Sequence, residues 1–150
     1  MTILVCDNSI EGVFSGIYHA FQNRMKPSDT KIHAGNVENL ELFCTYKQIT
    51  SNQDHALKVS QTLCNRLSYE VYYDLCTALL CESFPSLNAA DAVYHTIALG
   101  FAMKKKGQYV LQALANPYVN TVFRSSRITK EEVRHLYGFT RFRELKEGIL

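Results

Sequence analysis

A short apolar run, followed by apolar positions with helical spacing, opens the chain. Residues 3–6 are all apolar, which predicts a short buried strand. Ser9 follows, a residue type that often caps a helix because its hydroxyl can accept a hydrogen bond from the first turn. The next apolar residues fall on one helical stripe: Ile10, Val13, Phe14, Ile17 and Phe21. The pattern therefore predicts a strand that leads directly into a helix.

The same helix carries a second stripe, which consists of the small residues Gly12, Gly16 and Ala20. A phosphate-binding glycine loop would place its glycines at the turn between strand and helix. These glycines lie inside the helix, so the stripe indicates close packing of the helix against a sheet.

Further strands and helices are predicted along the middle of the chain. Residues 31–34 and 43–49 are candidate strands, and the second has the clearer alternation. A sequence that resembles a capping box begins at Ser51 and would start a helix. Residues 70–81 and 88–103 have helical spacing and are apolar on most sides, which is typical of helices in a core.

The last third is predicted to contain two helices. A cap followed by proline at the first helical position, at residues 116–117, starts the first one. Its inward residues would be Val119, Val122 and Phe123. A further capping box begins at Thr129 and would start the second helix.

After Gly138 the period changes to two, so residues 139–145 read as a strand. Arg141 and Arg143 would share one face of that strand. The final residues, 148–150, resemble the opening of another strand, and we therefore expect the chain to be the N-terminal part of a longer protein.

These elements predict one domain over residues 1–150, a length that suits a single core. The fold class is α+β and mainly helical, with about six helices that cover a small mixed sheet. The sheet would combine the N-terminal strand, the region after Phe43 and the strand that begins at Phe139.

Charge is distributed unevenly along the chain. The net charge is +2, but residues 1–103 carry 6 Lys/Arg against 10 Asp/Glu, whereas residues 104–150 carry 10 against 4. A basic C-terminal third indicates an anionic partner. No apolar run approaches the roughly 20 residues of a membrane helix, so no membrane association is expected. The odd count of five cysteines predicts free thiols and a cytoplasmic location.

Catalytic and metal-binding chemistry is not recognisable in the sequence. The cysteines and histidines lack the spacing of a metal site, and no cofactor is expected. Most of the cysteines lie in apolar segments and read as core residues. His95 lies within an apolar helix and is interpreted as a core histidine. Catalytic residues, oligomeric state and the question of enzyme activity stay open.

Arginine and aromatic residues are interleaved between residues 116 and 143. Arginine suits phosphate, and aromatic rings can stack on exposed bases, although the same composition describes many protein interfaces. The candidate nucleic-acid-binding residues are Asn120, Arg124, Arg127, Arg134, Arg141 and Arg143.

Several segments resemble a bacterial family that is associated with DNA metabolism and DNA repair. The matching stretches are residues 5–14, 38–43, 94–95, 100–101, 115–119 and 138–145, which include the motif residues Tyr94, His95, Asn116, Pro117 and Tyr118. Members of that family occur beside a radical-SAM protein or ahead of a uracil-DNA-glycosylase-like domain. The resemblance implies a DNA-repair accessory role and carries no catalytic residues to transfer.

Three hypotheses follow from the sequence. The leading one is a DNA-binding accessory domain that contacts phosphates through the arginine–aromatic region and assists a radical-SAM or glycosylase-type partner. The first alternative is a protein-interaction module that docks an acidic partner without DNA contact. The second alternative is a base-processing DNA-repair enzyme with a pocket near Tyr94, His95 and Asn116.

Overall fold

A computed structural model describes the backbone of residues 1–81 and 88–146, and the side chains up to residue 133 outside that gap. The described part contains three strands, five α-helices and two 3-10 segments, at Pro27–Asp29 and Lys104–Gln112. The fold is α+β and mainly helical, as the sequence predicts. The strands are β1 (Thr2–Cys6), β2 (Thr30–Ala34) and β3 (Thr45–Gln48), and the helices are α1 (Ile10–Gln22), α2 (Gln53–Arg66), α3 (Tyr69–Leu79), α4 (Ala89–Ala102) and α5 (Pro117–Lys146).

The sheet has the order β2-β1-β3, and both strand pairs are parallel. Leu4 at its centre lies opposite Ile32 on one side and Lys47 on the other. Among the described strands the sheet is therefore parallel, not mixed. The physical reason is that α1 carries the chain back along the sheet between β1 and β2, which makes the two strands parallel.

Helix α1 packs closely on β1 through its small residues. A Cβ added at Gly16 would lie 2.3 Å from the Cys6 Sγ, and one at Gly12 would lie 2.5 Å from the Asp7 carbonyl oxygen. Ala20, on the same stripe, is fully buried. The packing interpretation of this stripe is confirmed, and the Ser9 cap is confirmed as well, because its side chain accepts from the Gly12 N–H.

Helices α3 and α4 agree with the helical segments predicted at residues 70–81 and 88–103. Helix α4 supplies the centre of the core, where Val93, Tyr94 and Ile97 are fully buried. It also covers the outer edge of β2, since the Asp91 Oδ1 accepts the Ile32 N–H at 3.0 Å. The sheet is thus enclosed along the β2 edge by a helix.

The C-terminal region corrects two predictions. Helix α5 runs without interruption from Pro117 to Lys146, so the predicted strand at residues 139–145 and the helix start at Thr129 are both wrong. A helix that has already formed is extended by further residues without a new nucleation cost. Gly138 makes this extension less favourable by only about 1 kcal/mol relative to alanine. Thr129 is buried in the middle of α5, where it caps nothing.

Candidate nucleic-acid interface

The start of α5 is fixed by a side-chain cap. The Asn116 Oδ1 accepts hydrogen bonds from the backbone N–H groups of Tyr118, at 2.9 Å, and Val119, at 3.2 Å. Pro117 occupies the first helical position, where its missing N–H is not needed. This confirms the predicted cap and fixes the residue at which α5 begins.

Helix α5 packs against α3 and α4 with one side and shows polar residues on the other. The buried side consists of Val119, Val122, Ser125, Ser126 and Thr129. The prediction that Phe123 is buried is wrong. Its side chain is 44% exposed and lies beside Arg124 on the outer side of α5. An exposed aromatic ring therefore accompanies the exposed cations of this helix.

Arg124 and Arg127 are both exposed on the outer side of α5. Among the described residues, Arg124 forms no ion pair, whereas the Arg127 Nε lies 3.3 Å from the Glu131 Oε1. Both partners of that pair are well exposed, so its contribution to stability is small. Asn120 is half-buried, and its Nδ2 donates to the Leu114 carbonyl oxygen at 3.5 Å.

Lys130 is tied to the body of the domain. Its Nζ pairs with the Asp74 carboxylate on α3 and lies 5.8 Å from the centre of the Tyr73 ring. Ser126 also donates to the Asp74 Oδ1, at 3.4 Å. These contacts anchor α5 to α3 and leave the arginines as the cations of the outer side.

Because residues 117–146 form one helix, the positions of the arginines around the helix axis decide which of them share a side. The alternation expected for a strand does not apply. At about 100° per residue, positions 120, 123, 124, 127, 134 and 141 fall within a sector of roughly 100°. We call Asn120, Phe123, Arg124, Arg127, Arg134 and Arg141 the outer stripe of α5.

Arg143 does not share this sector. It lies about 200° around the helix axis from Arg141. The prediction that Arg141 and Arg143 share a face, made for a strand, is therefore wrong.

Of the residues that carry the resemblance, His95, Asn116 and Tyr118 lie where α4 contacts the start of α5. The His95 ring stacks on the Tyr118 ring with 4.1 Å between centroids and 15° between planes. The His95 Nε2 lies 3.3 Å from the Asp91 Oδ1, and the His95 side chain is only 11% exposed. Asn116 caps the helix in which Tyr118 lies. The motif residues thus join two helices.

Asp91 is a residue that sequence reasoning missed. It is buried, accepts the Ile32 N–H and lies next to His95, so one carboxylate connects α4 to the edge of β2. The available signal was its spacing, since an acidic residue in an otherwise apolar first turn stands four residues before His95. Tyr94, also buried, has a phenol pKa that burial raises above its usual value.

The described residues offer little that could act as a nucleophile or hold a metal ion. Burial, with a smaller contribution from Asp7, raises the pKa of the Cys6 thiol to about 12, which keeps it protonated. Burial likewise raises the pKa of Cys76. In the described part of the chain no three His, Cys, Asp or Glu side chains are grouped to hold a metal ion. No described helix has the length and apolar character needed to cross a membrane.

Comparisons with known protein families, with curated proteins and with solved structures give no match to this chain.

Proposed function

We propose that the protein is a DNA-binding accessory domain in bacterial DNA metabolism or repair, and that the outer stripe of α5 contacts the phosphates. The observation that carries the proposal is the continuous helix, which aligns Arg124 and Arg127 with positions 134 and 141. Arginine matches phosphate oxygens through paired N–H donors. The half-exposed Phe123 ring adds a surface on which an unpaired base can stack.

The charge of α5 supports the same proposal. The helix contains seven Lys/Arg and three Glu, and it is about 45 Å long at 1.5 Å per residue. Glu131 offsets part of the charge of Arg127, but Arg124 is without an acidic partner in the described part of the chain. The outer stripe itself, from Asn120 to Arg141, spans about 32 Å of this length, enough to contact several phosphates of one strand.

The experiment is fluorescence anisotropy of labelled single- and double-stranded DNA at several salt concentrations. We expect affinity to fall steeply with salt, and we expect Arg124→Gln/Arg127→Gln to flatten the logarithmic slope by about 0.9 per lost contact with duplex DNA. The control Lys47→Gln/Lys58→Gln removes two exposed cations elsewhere and should leave the slope close to that of the wild type. Equal effects of the two pairs would exclude a specific role of the stripe.

A second comparison tests the helical arrangement. Arg141→Gln removes a cation from the outer stripe, whereas Arg143→Gln removes one from the opposite side of the same helix. DNA affinity should fall severalfold more in Arg141→Gln than in Arg143→Gln. The reverse order would place the DNA on a different side of α5.

One observation favours a protein-interaction module as the second candidate. The loop between β2 and β3 exposes three large apolar side chains. Phe43 is 98% exposed, Leu42 is 85% exposed and Leu40 is 76% exposed. Exposed apolar groups of this size are typical of protein contacts. Affinity for a radical-SAM or glycosylase-type partner without any affinity for DNA would support this alternative over the first proposal.

The base-processing alternative gains no support from the geometry of its expected residues. Tyr94 is fully buried, and the His95 side chain is 11% exposed with its ring stacked on Tyr118, so neither side chain presents an open face to a base. A product assay on uracil-containing and alkylated oligonucleotides tests it directly.

A further inference from the structure

A cleft with a volume of about 560 Å³ lies at the carboxyl ends of β1 and β2, away from the outer stripe of α5. Asn8 and Ser9 line it just after β1, and His33 lines it at the end of β2. Sheets of parallel strands commonly bind ligands at this end, because the loops and helix starts that follow the strands converge there. We call it the carboxyl-edge cleft.

Two helices begin at the wall of this cleft. Helix α1, of 13 residues, starts beside Ser9, and α4, of 14 residues, starts at Ala89 after Asn88. Ser9 satisfies one N–H group of α1, that of Gly12. Asn88 has a left-handed backbone, with φ of 48°, and its side chain makes no cap hydrogen bond to α4. The first N–H groups of a helix and its dipole both favour an anion at such a place.

Ser125 provides an independent indication of a ligand. It lies in the wall of the cleft, is fully buried, and its hydroxyl has no hydrogen-bond partner in the described part of the chain. One turn earlier in α5, the Thr121 hydroxyl donates to the Pro117 carbonyl oxygen at 3.0 Å, which is the usual arrangement in a helix. Among the described residues, five buried side-chain N or O atoms have no hydrogen-bond partner, and of these the Ser125 hydroxyl belongs to a residue that lines this cleft. An acceptor atom of a ligand bound there would supply the missing hydrogen bond.

The remaining wall has two characters. The described residues that line the cleft include no Asp, Glu, Lys or Arg, and they include one histidine, His33. Leu79 and Leu80, at the end of α3, make one part of the wall apolar. Asp7 precedes Asn8 and carries a carboxylate that would repel an anion, but Asp7 is not among the described residues that line the cleft. Its Oδ2 accepts a hydrogen bond from the Ser51 hydroxyl. The volume is that of a site for a molecule the size of a nucleotide.

We propose that the carboxyl-edge cleft binds a small phosphate monoester, with the phosphate at the starts of α1 and α4 and an apolar ring against Leu79 and Leu80. The Ser125 hydroxyl donates a hydrogen bond to the ligand. Such a group occurs in a free nucleoside monophosphate and at the 5′ end of a DNA strand. The inference does not depend on DNA binding by α5.

Isothermal titration calorimetry on the full chain tests the proposal with thymidine monophosphate against thymidine. We expect the phosphate to tighten binding by about tenfold or more, that is by about 1.4 kcal/mol. A short 5′-phosphorylated oligonucleotide and its unphosphorylated form make a second pair. A phosphate effect only with the mononucleotide would identify a free nucleoside monophosphate as the ligand. A phosphate effect in both pairs would show that the cleft also accepts the 5′ end of a DNA strand. Absence of a phosphate effect in both pairs would overturn the proposal.

Two matched pairs of variants assign the binding to this cleft. Ala89→Glu places a carboxylate at the start of α4, which suits the helix but repels a phosphate, and Ala89→Gln adds nearly the same volume without charge. We expect about tenfold weaker binding in the first and little change in the second. Equal binding in both, or equal loss in both, would contradict an anion site.

Ser125→Ala deletes the hydroxyl in the cleft wall, and Thr129→Val deletes another buried hydroxyl without a partner, one turn along α5. Loss of one hydrogen bond should weaken binding about fivefold in Ser125→Ala and leave Thr129→Val unchanged. Equal weakening in both variants would indicate a general effect on the core and would argue against the assignment. Affinity for DNA without a 5′ phosphate, measured on Ala89→Glu, should be that of the wild type, which keeps this test separate from that of the outer stripe.

Discussion

Helices α1 and α5 both begin with a side-chain cap and both bury one side, but they differ in what the other side does. In α1, seven of thirteen residues are buried, and Tyr18 on its flank stacks on His55 of α2. In α5, the side away from the core shows Phe123 and two arginines. The comparison teaches that packing determines the seven buried positions of α1, whereas Phe123, Arg124 and Arg127 of α5 are exposed to solvent.

The largest effect is expected where α1 touches the sheet. Gly16→Ala places a Cβ 2.3 Å from the Cys6 Sγ, and we expect the free energy of unfolding to fall by about 2 kcal/mol, measured by urea denaturation. In a Cys6→Ala background the same substitution should cost less than about 0.5 kcal/mol, because the obstructing atom is gone. An unchanged cost in that background would mean that another contact sets the distance between helix and sheet.

A smaller effect is expected at the caps, where the two helices are alike. Asn116→Ala removes the acceptor of two N–H groups at the start of α5, and Ser9→Ala removes the corresponding acceptor in α1. Each should lower the free energy of unfolding by about 1 kcal/mol in the same denaturation experiment. A much larger loss in Asn116→Ala would show that the contact between His95 and Tyr118 depends on the cap, and would weaken the comparison.

The smallest effect is expected on the outer side of α5. Glu131→Gln removes the partner of Arg127, and because both groups are well exposed the free energy of unfolding should change by less than about 0.5 kcal/mol. If the outer stripe binds DNA, the same variant should bind it about twofold more tightly at low salt, as anisotropy would show. Weaker binding would indicate that Glu131 belongs to the contact surface.

The sequence predicts best those features that depend on neighbours along the chain. The Ser9 cap, the small-residue stripe around Gly16 and the start of α5 after Asn116 are all local patterns, and the structure confirms each of them. The candidate cations Arg124 and Arg127 are exposed for the same reason, since they lie opposite Val119 and Val122 on one helix.

The features that the sequence does not predict depend on distant parts of the chain. Residues 139–145 alternate like a strand, but a strand needs a neighbouring strand to pair with. In the structure these residues instead continue helix α5, which needs no such partner. Asp91 accepts a hydrogen bond from Ile32, fifty-nine residues away. The wall of the carboxyl-edge cleft is assembled from five segments, and no local pattern brings Ser125 to the end of β1.

The bond between Asp91 and Ile32 has a consequence for association of the sheet. An outer strand normally offers its free N–H groups to any further strand, which makes sheet edges prone to uncontrolled growth. At β2 a side-chain carboxylate already occupies one of these groups, and α4 lies across the edge. At β3 the exposed charge of Lys47 is the kind of residue that discourages strand addition. The two borders of this small sheet are thus protected by different means, one by occupation and the other by charge.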